Sequence, residues 1–189
     1  MITTLAADAP KALSAIASAR AQARAVAWSR AGDRAPDHEI DAEHPLIIDI
    51  DATLLDSDSE KECAATTFNA DTAFTRCWRS STTAPRATGE PAADLLRAGN
   101  AGVNTAADHK TVPAAALAQL PWQPDYRVGR KVLVRADAGG GTHEFLNYCH
   151  ARRVQYSIGF GLSENIIAAL DYLPEHAWTP AYNGDDETP

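Results

Sequence analysis

The stretch PLIIDIDATLLDSDSE, Pro45 to Glu60, is informative because it places carboxylates at the end of an apolar run. Asp49 and Asp51 alternate with Ile50 and Ala52, so in a β-strand both aspartates would point to the same side. Burying charged carboxylates would cost several kcal/mol unless they are paired or bound to a metal ion. The stretch therefore predicts either a strand end that opens on water or a metal site.

Strands and helices alternate along the chain around this stretch. We predict an amphipathic helix from Ala6 to about Arg30, whose apolar residues at helical spacing are Leu13, Ile16, Ala23 and Val26. Further predicted strands cover 46–55, 93–97, 131–137 and 154–160, and further helices cover 105–119, 143–153 and 164–173, the last two capped by Thr142 and Ser163. Such alternation indicates an α/β sheet with its functional residues at the carboxyl ends of strands, where both Asp51 and Asp137 lie.

Composition narrows the class of protein. The chain has 189 residues, of which 45% are apolar, and this is typical of one globular domain. No window approaches the roughly 18 apolar residues of a membrane span, and the start lacks the basic and apolar regions of a signal peptide, which favours a cytoplasmic protein without membrane contact. The three cysteines, Cys63, Cys77 and Cys149, form no CxxC pair and are predicted to be free thiols.

The net charge of -8 argues against a protein whose affinity comes from covering phosphates with lysine and arginine. It leaves room for an acidic catalytic centre in which metal ions carry the positive charge. Arg20, Arg24 and Arg30 of the first helix could contact a DNA backbone or could simply be solvated.

The strand-end aspartates support two enzyme hypotheses. Oxygen ligands such as Asp51 and Asp137 suit Mg²⁺ or Mn²⁺, and two such ions can act on a phosphodiester. Alternatively, LIIDIDATLLDS is close to the D-x-D-x-T signature of haloacid dehalogenase-type phosphatases, with Asp49 as nucleophile, Asp51 as general acid and Asn183 to Asp186 as late metal-binding residues. The glycine that usually follows the second aspartate is here Ala52.

Several phrases together resemble one family. They are TLAADAPKALSAI, PLIIDIDATLL, SEKECAATTF, TGEPAADLLRAGNAGVNTAADH, VLVRADAGGGTHEFL, YSIGF and LPEHAWTPAY, in this order and over most of the chain. The sequence resembles the DDE transposases of bacterial insertion sequences, specifically the actinobacterial group with a DDE domain of group 1.

The resemblance implies an incomplete RNase H-like fold, with a mixed α/β sheet flanked by helices and preceded by the N-terminal amphipathic helix. It implies that Asp51 and Asp137 are catalytic metal ligands for Mg²⁺ or Mn²⁺. It also implies cleavage and strand transfer of DNA at transposon ends, with a possible homodimer in the intact family. Residues 1–40 would form the helix and a linker, and residues 41–189 a partial catalytic domain.

Two departures from the family pattern bear on activity. No residue matches the distant glutamate of the family, so the resemblance implies a truncated fragment that is inactive as it stands, or a degenerate remnant. The segment 69–88 replaces an apolar strand, and back-translation with GC-rich codons recovers such a strand in another frame, which suggests two compensating frameshifts. Because this segment has no period-two apolar face, we predict that it is irregular or poorly packed.

Overall fold

The protein is described from a computed structural model that covers residues 8–56, 74–83, 89–98, 105–122 and 127–179. Most elements predicted from the sequence are present with shifted ends, and the contacts divide the chain into two compact units, Met1–Gly159 and Phe160–Pro189. The boundary predicted at residue 40 stays a prediction. The elements in chain order are α1 (Ala9–Ala31), β1 (Leu46–Asp56), β2 (Phe74–Thr83), β3 (Glu90–Ala98), α2 (Ala106–Leu117), β4 (Val132–Ala136), α3 (His143–Arg152), β5 (Gln155–Ile158) and α4 (Glu164–Leu170).

The first unit is built around a five-stranded mixed sheet in the order β3-β2-β1-β4-β5. Strand β2 runs antiparallel to both β1 and β3, while β4 runs parallel to β1 and β5 runs parallel to β4. Helices flank this sheet, and α1 precedes it. The mixed α/β class and the incomplete RNase H-like architecture expected from the sequence are thus confirmed.

The segment 69–88, expected to be irregular or poorly packed, is a regular strand where the structure describes it, and its poor packing stays a prediction. Phe74–Thr83 forms β2, which pairs with strands on both sides and has a register shift between Ser80 and Ser81. The prediction relied on the absence of a period-two apolar face, but ladder pairing uses backbone groups that every non-proline residue carries. Residues 69–73 and 84–88 lie outside the described residues.

Buried and more exposed side chains alternate along the central strands, and this alternation gives the sheet one apolar and one polar face. In β1, Leu46, Ile48 and Ile50 are at most 4% exposed, whereas Asp49 is half-buried and Asp51 exposed. In β4, Val132 and Val134 are likewise buried. Helices α2 and α3 contribute to the same core, through Val112, Ala116, Leu117, Phe145 and Cys149. The apolar side chains therefore share one face, and the aspartates of β1 lie on the other.

Helix α1 is confirmed, but it buries a different face from the one predicted. Leu13, Ile16 and Val26 are each more than half exposed, and the buried residues are Ala21, Arg24 and Trp28. These three follow helical spacing equally well. Arg24 and Trp28 both donate hydrogen bonds to Glu90 at the start of β3, and Arg24 also donates to Gln119, just after α2. Hydropathy does not predict such polar contacts.

The two predicted helix caps have different outcomes. The Thr142 hydroxyl accepts a hydrogen bond from the Phe145 N–H at 3.3 Å, which confirms it as the cap of α3. Ser163 precedes α4, but its side chain makes no capping hydrogen bond. Helix α4 in the second unit therefore begins without the predicted side-chain cap.

Candidate active site

The parallel pairing of β1 with β4 ends at one edge of a cavity. Strand β4 ends there, but β1 continues to Asp56 alongside β2, so the strand-end position expected for Asp51 is wrong. Ile50 pairs with Ala136 in the parallel ladder, so Asp51 and Asp137 are the next residues on neighbouring strands, which run about 4.8 Å apart. The cavity measures about 390 Å³, and both aspartates line it together with Asp49, Ile50, Arg135, Ala136, Ser157, Ile158 and Gly159. The structure thus brings the two sequence-predicted site residues to one solvent-open cavity.

A tight turn holds the Asp137 carboxylate. Its Oδ1 accepts a hydrogen bond from the Gly139 N–H at 2.9 Å, and Asp137 caps the short 3-10 turn Ala138–Gly140. Within the described part of the chain, the Asp137 side chain has no other hydrogen bond. The glycines of AGGG therefore form a strand-to-helix turn, and one Asp137 oxygen remains for a ligand.

Two glycines allow this turn to pack closely. A Cβ at Gly159 would lie 2.9 Å from the Ala138 nitrogen and 3.2 Å from the Asp137 carbonyl carbon. A Cβ at Gly140 would lie 2.9 Å from the Ala136 Cβ and 3.4 Å from the His109 ring. Since real Cβ atoms do not approach so closely, glycine at both positions determines where the Asp137 main chain lies.

Asp49 and Arg135 form a cross-strand ion pair on the face that carries Asp51. The Arg135 Nε donates to Asp49 Oδ1 at 2.5 Å, and Nη2 donates to Oδ2 at 2.9 Å. This hydrogen bonding to Asp49 raises the pKa of Arg135. Both carboxylate oxygens of Asp49 are thus engaged by a cation, so Asp49 is a poorer metal ligand than its neighbour two residues on.

The sequence analysis did not identify Arg135, although this residue lines the same cavity as the two aspartates. A usable signal was present, because in VLVRAD the arginine precedes Asp137 by two residues, as Asp49 precedes Asp51. Period-two alternation would have placed these four side chains on one face.

Other acidic and histidine side chains do not join this cavity. Glu144 pairs with Lys110, and His109 is fully buried beside the Phe145 ring at a centroid distance of 5.4 Å. Among the residues that the structure describes, no group of three or more histidine, cysteine, aspartate or glutamate side chains is placed to hold a metal ion. Asn183 to Asp186, which the phosphatase hypothesis invokes, lie outside the described residues.

Comparison with known proteins identifies the family. The family model described as Transposase DDE domain group 1 matches residues 7–188, nearly the whole chain. The chain belongs to this family. No similar curated protein and no similar solved structure was found. Membership supports a transposase function, and the family implies DNA binding and a divalent metal ion.

The DDE domain offers chemistry that fits a divalent cation. Asp51 and Asp137 present hard oxygen donors on adjacent strands of an open cavity, and this donor type suits Mg²⁺ or Mn²⁺. Two of the arginines in α1 make contacts within the protein, since Arg20 and Arg24 both donate to the Pro91 carbonyl at 3.1 Å. In the described ranges, no helix is both long enough and apolar enough to span a membrane.

Proposed function

We propose that this chain is a DDE-type catalytic domain in which Asp51 and Asp137 are the metal ligands for cleavage and strand transfer of DNA phosphodiesters. The observation that carries the proposal is the cavity that Asp51 and Asp137 share where the parallel pairing of β1 with β4 ends, at the carboxyl end of β4. In open α/β sheets, functional sites form outside such strand ends.

The residues of this chain would divide the work as follows. Asp51 and Asp137 would hold a Mg²⁺ or Mn²⁺ ion, and the Gly139 N–H would orient the Asp137 carboxylate. When bound, such an ion supplies Lewis-acid activation of a water or 3′-hydroxyl and stabilises the departing oxygen. Asp49 remains paired with Arg135 and keeps its charge balanced.

Full activity requires more ligands than these two aspartates. A two-ion site needs a third acidic ligand to locate the second ion. Asp49 lines the cavity but is paired with Arg135, and among the described residues no three acids, histidines or cysteines are placed to hold a metal ion. We therefore propose that the 189-residue chain binds a metal ion weakly and does not cleave DNA unaided.

A Mn²⁺ titration tests the metal site. Binding is measured as the decrease of the electron paramagnetic resonance signal of free Mn²⁺. We expect Asp51→Asn and Asp137→Asn each to weaken binding at least about tenfold, because ligand charge sets affinity for hard cations. Asp171→Asn, an exposed aspartate of the second unit, is the charge-matched control. Equal loss in all three variants, or no loss in the first two, would overturn the proposal.

The phosphatase hypothesis receives less support from the geometry. Asp49 and Asp51 both line the cavity, as that mechanism needs, but both Asp49 oxygens accept hydrogen bonds from Arg135. A carboxylate held in this way is a weak nucleophile. Hydrolysis of a generic phosphomonoester that disappears in Asp49→Asn would favour the phosphatase, and the DDE proposal expects no such hydrolysis.

A further inference from the structure

The guanidinium of Arg135 has donor capacity beyond its pair with Asp49. Asp49 takes the Nε and one Nη2 hydrogen, and in the described part of the chain no hydrogen bond involves Nη1. The Arg135 side chain is 50% exposed and lines the same cavity as Asp51 and Asp137. A cation with remaining donors therefore faces the cavity beside the two aspartates.

Stability alone does not account for this arrangement. An ion pair as exposed as this one contributes little to folding, because water screens it and both side chains lose rotamer freedom. The pair does restrict the guanidinium to one orientation, since two parallel hydrogen bonds hold its plane. An arginine held in place in this way is suited to recognise a planar or tetrahedral oxyanion.

We propose that Arg135 binds a non-bridging phosphate oxygen of the DNA strand that lies over Asp51 and Asp137, and that Asp49 is its positioning residue. This inference rests on the proposed function and adds a DNA contact to it. In a chain of net charge -8, an arginine at the cavity offsets carboxylate repulsion where the backbone must approach. Lysine would replace its charge but not its two-point attachment to Asp49.

Fluorescence anisotropy with a short labelled duplex of arbitrary sequence tests the contact, at a fixed low concentration of MnCl₂ and increasing KCl. We expect Arg135→Met to weaken binding several-fold and to reduce the slope of log affinity against log salt by about 1, as loss of one phosphate contact requires. Arg130→Met, an exposed arginine before β4, is the charge-matched control and should change the slope less.

Asp49→Asn separates positioning from net charge. The substitution removes a negative charge, so if Asp49 acted on DNA only through its charge, the variant would bind DNA more tightly. If Asp49 orients Arg135, the variant should instead bind DNA about twofold or more weakly. Tighter binding would overturn the positioning role.

Mn²⁺ titration of the same variants distinguishes this inference from the proposed function. Arg135→Met should still bind Mn²⁺ through Asp51 and Asp137. If Mn²⁺ binds as expected but Arg135→Met and Arg130→Met behave alike toward DNA, the phosphate contact is wrong while the metal site stands. Absence of any duplex binding at low salt would also overturn the contact. Failure of Mn²⁺ to bind the unaltered protein would instead overturn the metal site.

Discussion

At the scale of single residues, Gly159 is the position where one added methyl group would act directly on the site. A Cβ added there would meet the main chain of Asp137 and Ala138, and backbone atoms cannot rotate away as a side chain can. The proposed metal ligand is therefore positioned partly by a residue that has no side chain.

We expect Gly159→Ala to lower the free energy of unfolding by about 1 to 3 kcal/mol, as overpacking commonly does. It should also weaken Mn²⁺ binding, because the Asp137 turn must shift. Chemical denaturation and Mn²⁺ titration measure the two effects. Gly161→Ala is the control, since a Cβ there meets no atom within 4 Å. Equal behaviour of the two variants would show that the turn tolerates the methyl group.

Cys149 is a second residue whose chemistry follows from its burial. It is a free, fully buried cysteine, and burial raises the pKa of its thiol from 9.0 to about 12. Because the folded-state pKa lies above the unfolded one, its contribution to stability is complete below pH 9 and is lost as the pH rises toward 12.

We therefore expect iodoacetamide to leave Cys149 unmodified in the folded protein at neutral pH and to modify it after denaturation. Peptide mass mapping distinguishes Cys149 from Cys63 and Cys77. Rapid alkylation of Cys149 without unfolding would contradict the burial seen here.

At the scale of elements, α1 is attached to the sheet by a buried polar cluster. Arg24 Nε donates to Glu90 Oε1 at 2.7 Å, and Nη1 donates to Gln119 Oε1 at 3.0 Å. The Trp28 indole N–H donates to the same Glu90 oxygen at 3.1 Å. Arg24 itself is 8% exposed, so these partners replace the water it has lost.

Removing this arginine should loosen α1. We expect Arg24→Met to lower the free energy of unfolding by about 2 to 4 kcal/mol, because Glu90 and Gln119 lose a buried charged partner. Arg30→Met, an exposed arginine in the last turn of α1, should change stability by about 0.5 kcal/mol or less. Chemical denaturation measures both variants, and equal free energies of unfolding would contradict the role assigned to the cluster.

Strand β2 lies inside the sheet, between β1 and β3. Cys77 pairs with Thr53 on one side and Leu96 on the other. We expect Cys77→Pro to lower the free energy of unfolding by about 3 kcal/mol or more, because proline removes a ladder donor and restricts φ. Cys77→Ala keeps the donor and is the control. Comparable thermal melting of the two variants would favour the irregular segment expected from the sequence.

At the scale of the whole molecule, charge and ligand number together limit activity. The net charge of -8 disfavours phosphate contacts, and the described residues bring two proposed metal ligands, Asp51 and Asp137, to the cavity. We expect the purified chain to show no Mg²⁺-dependent nicking of DNA that carries transposon ends, in a gel assay on supercoiled plasmid. Reproducible nicking that disappears in Asp137→Ala would show that another residue of this chain completes the site.

Local sequence patterns predicted much of the fold and the placement of Asp51 and Asp137 on neighbouring strands. Apolar runs followed by aspartate predicted β1 and β4, and the Thr142 cap marked the start of α3. Each of these features depends on neighbours within a few residues, which are visible in the sequence. The strand-helix alternation that follows predicted parallel pairing, and hence the approach of Asp51 to Asp137.

Tertiary structure supplied the features that depend on distant partners. The position of β2 inside the sheet rests on backbone ladders with two other strands, whatever its apolar pattern. The buried face of α1 was set by Glu90 and Gln119, far along the chain. The pairing of Arg135 with Asp49 was set by the register of β1 against β4. A sequence pattern reports the periodicity of one segment, but the energy of a paired charge or ladder belongs to two segments and appears only when they meet.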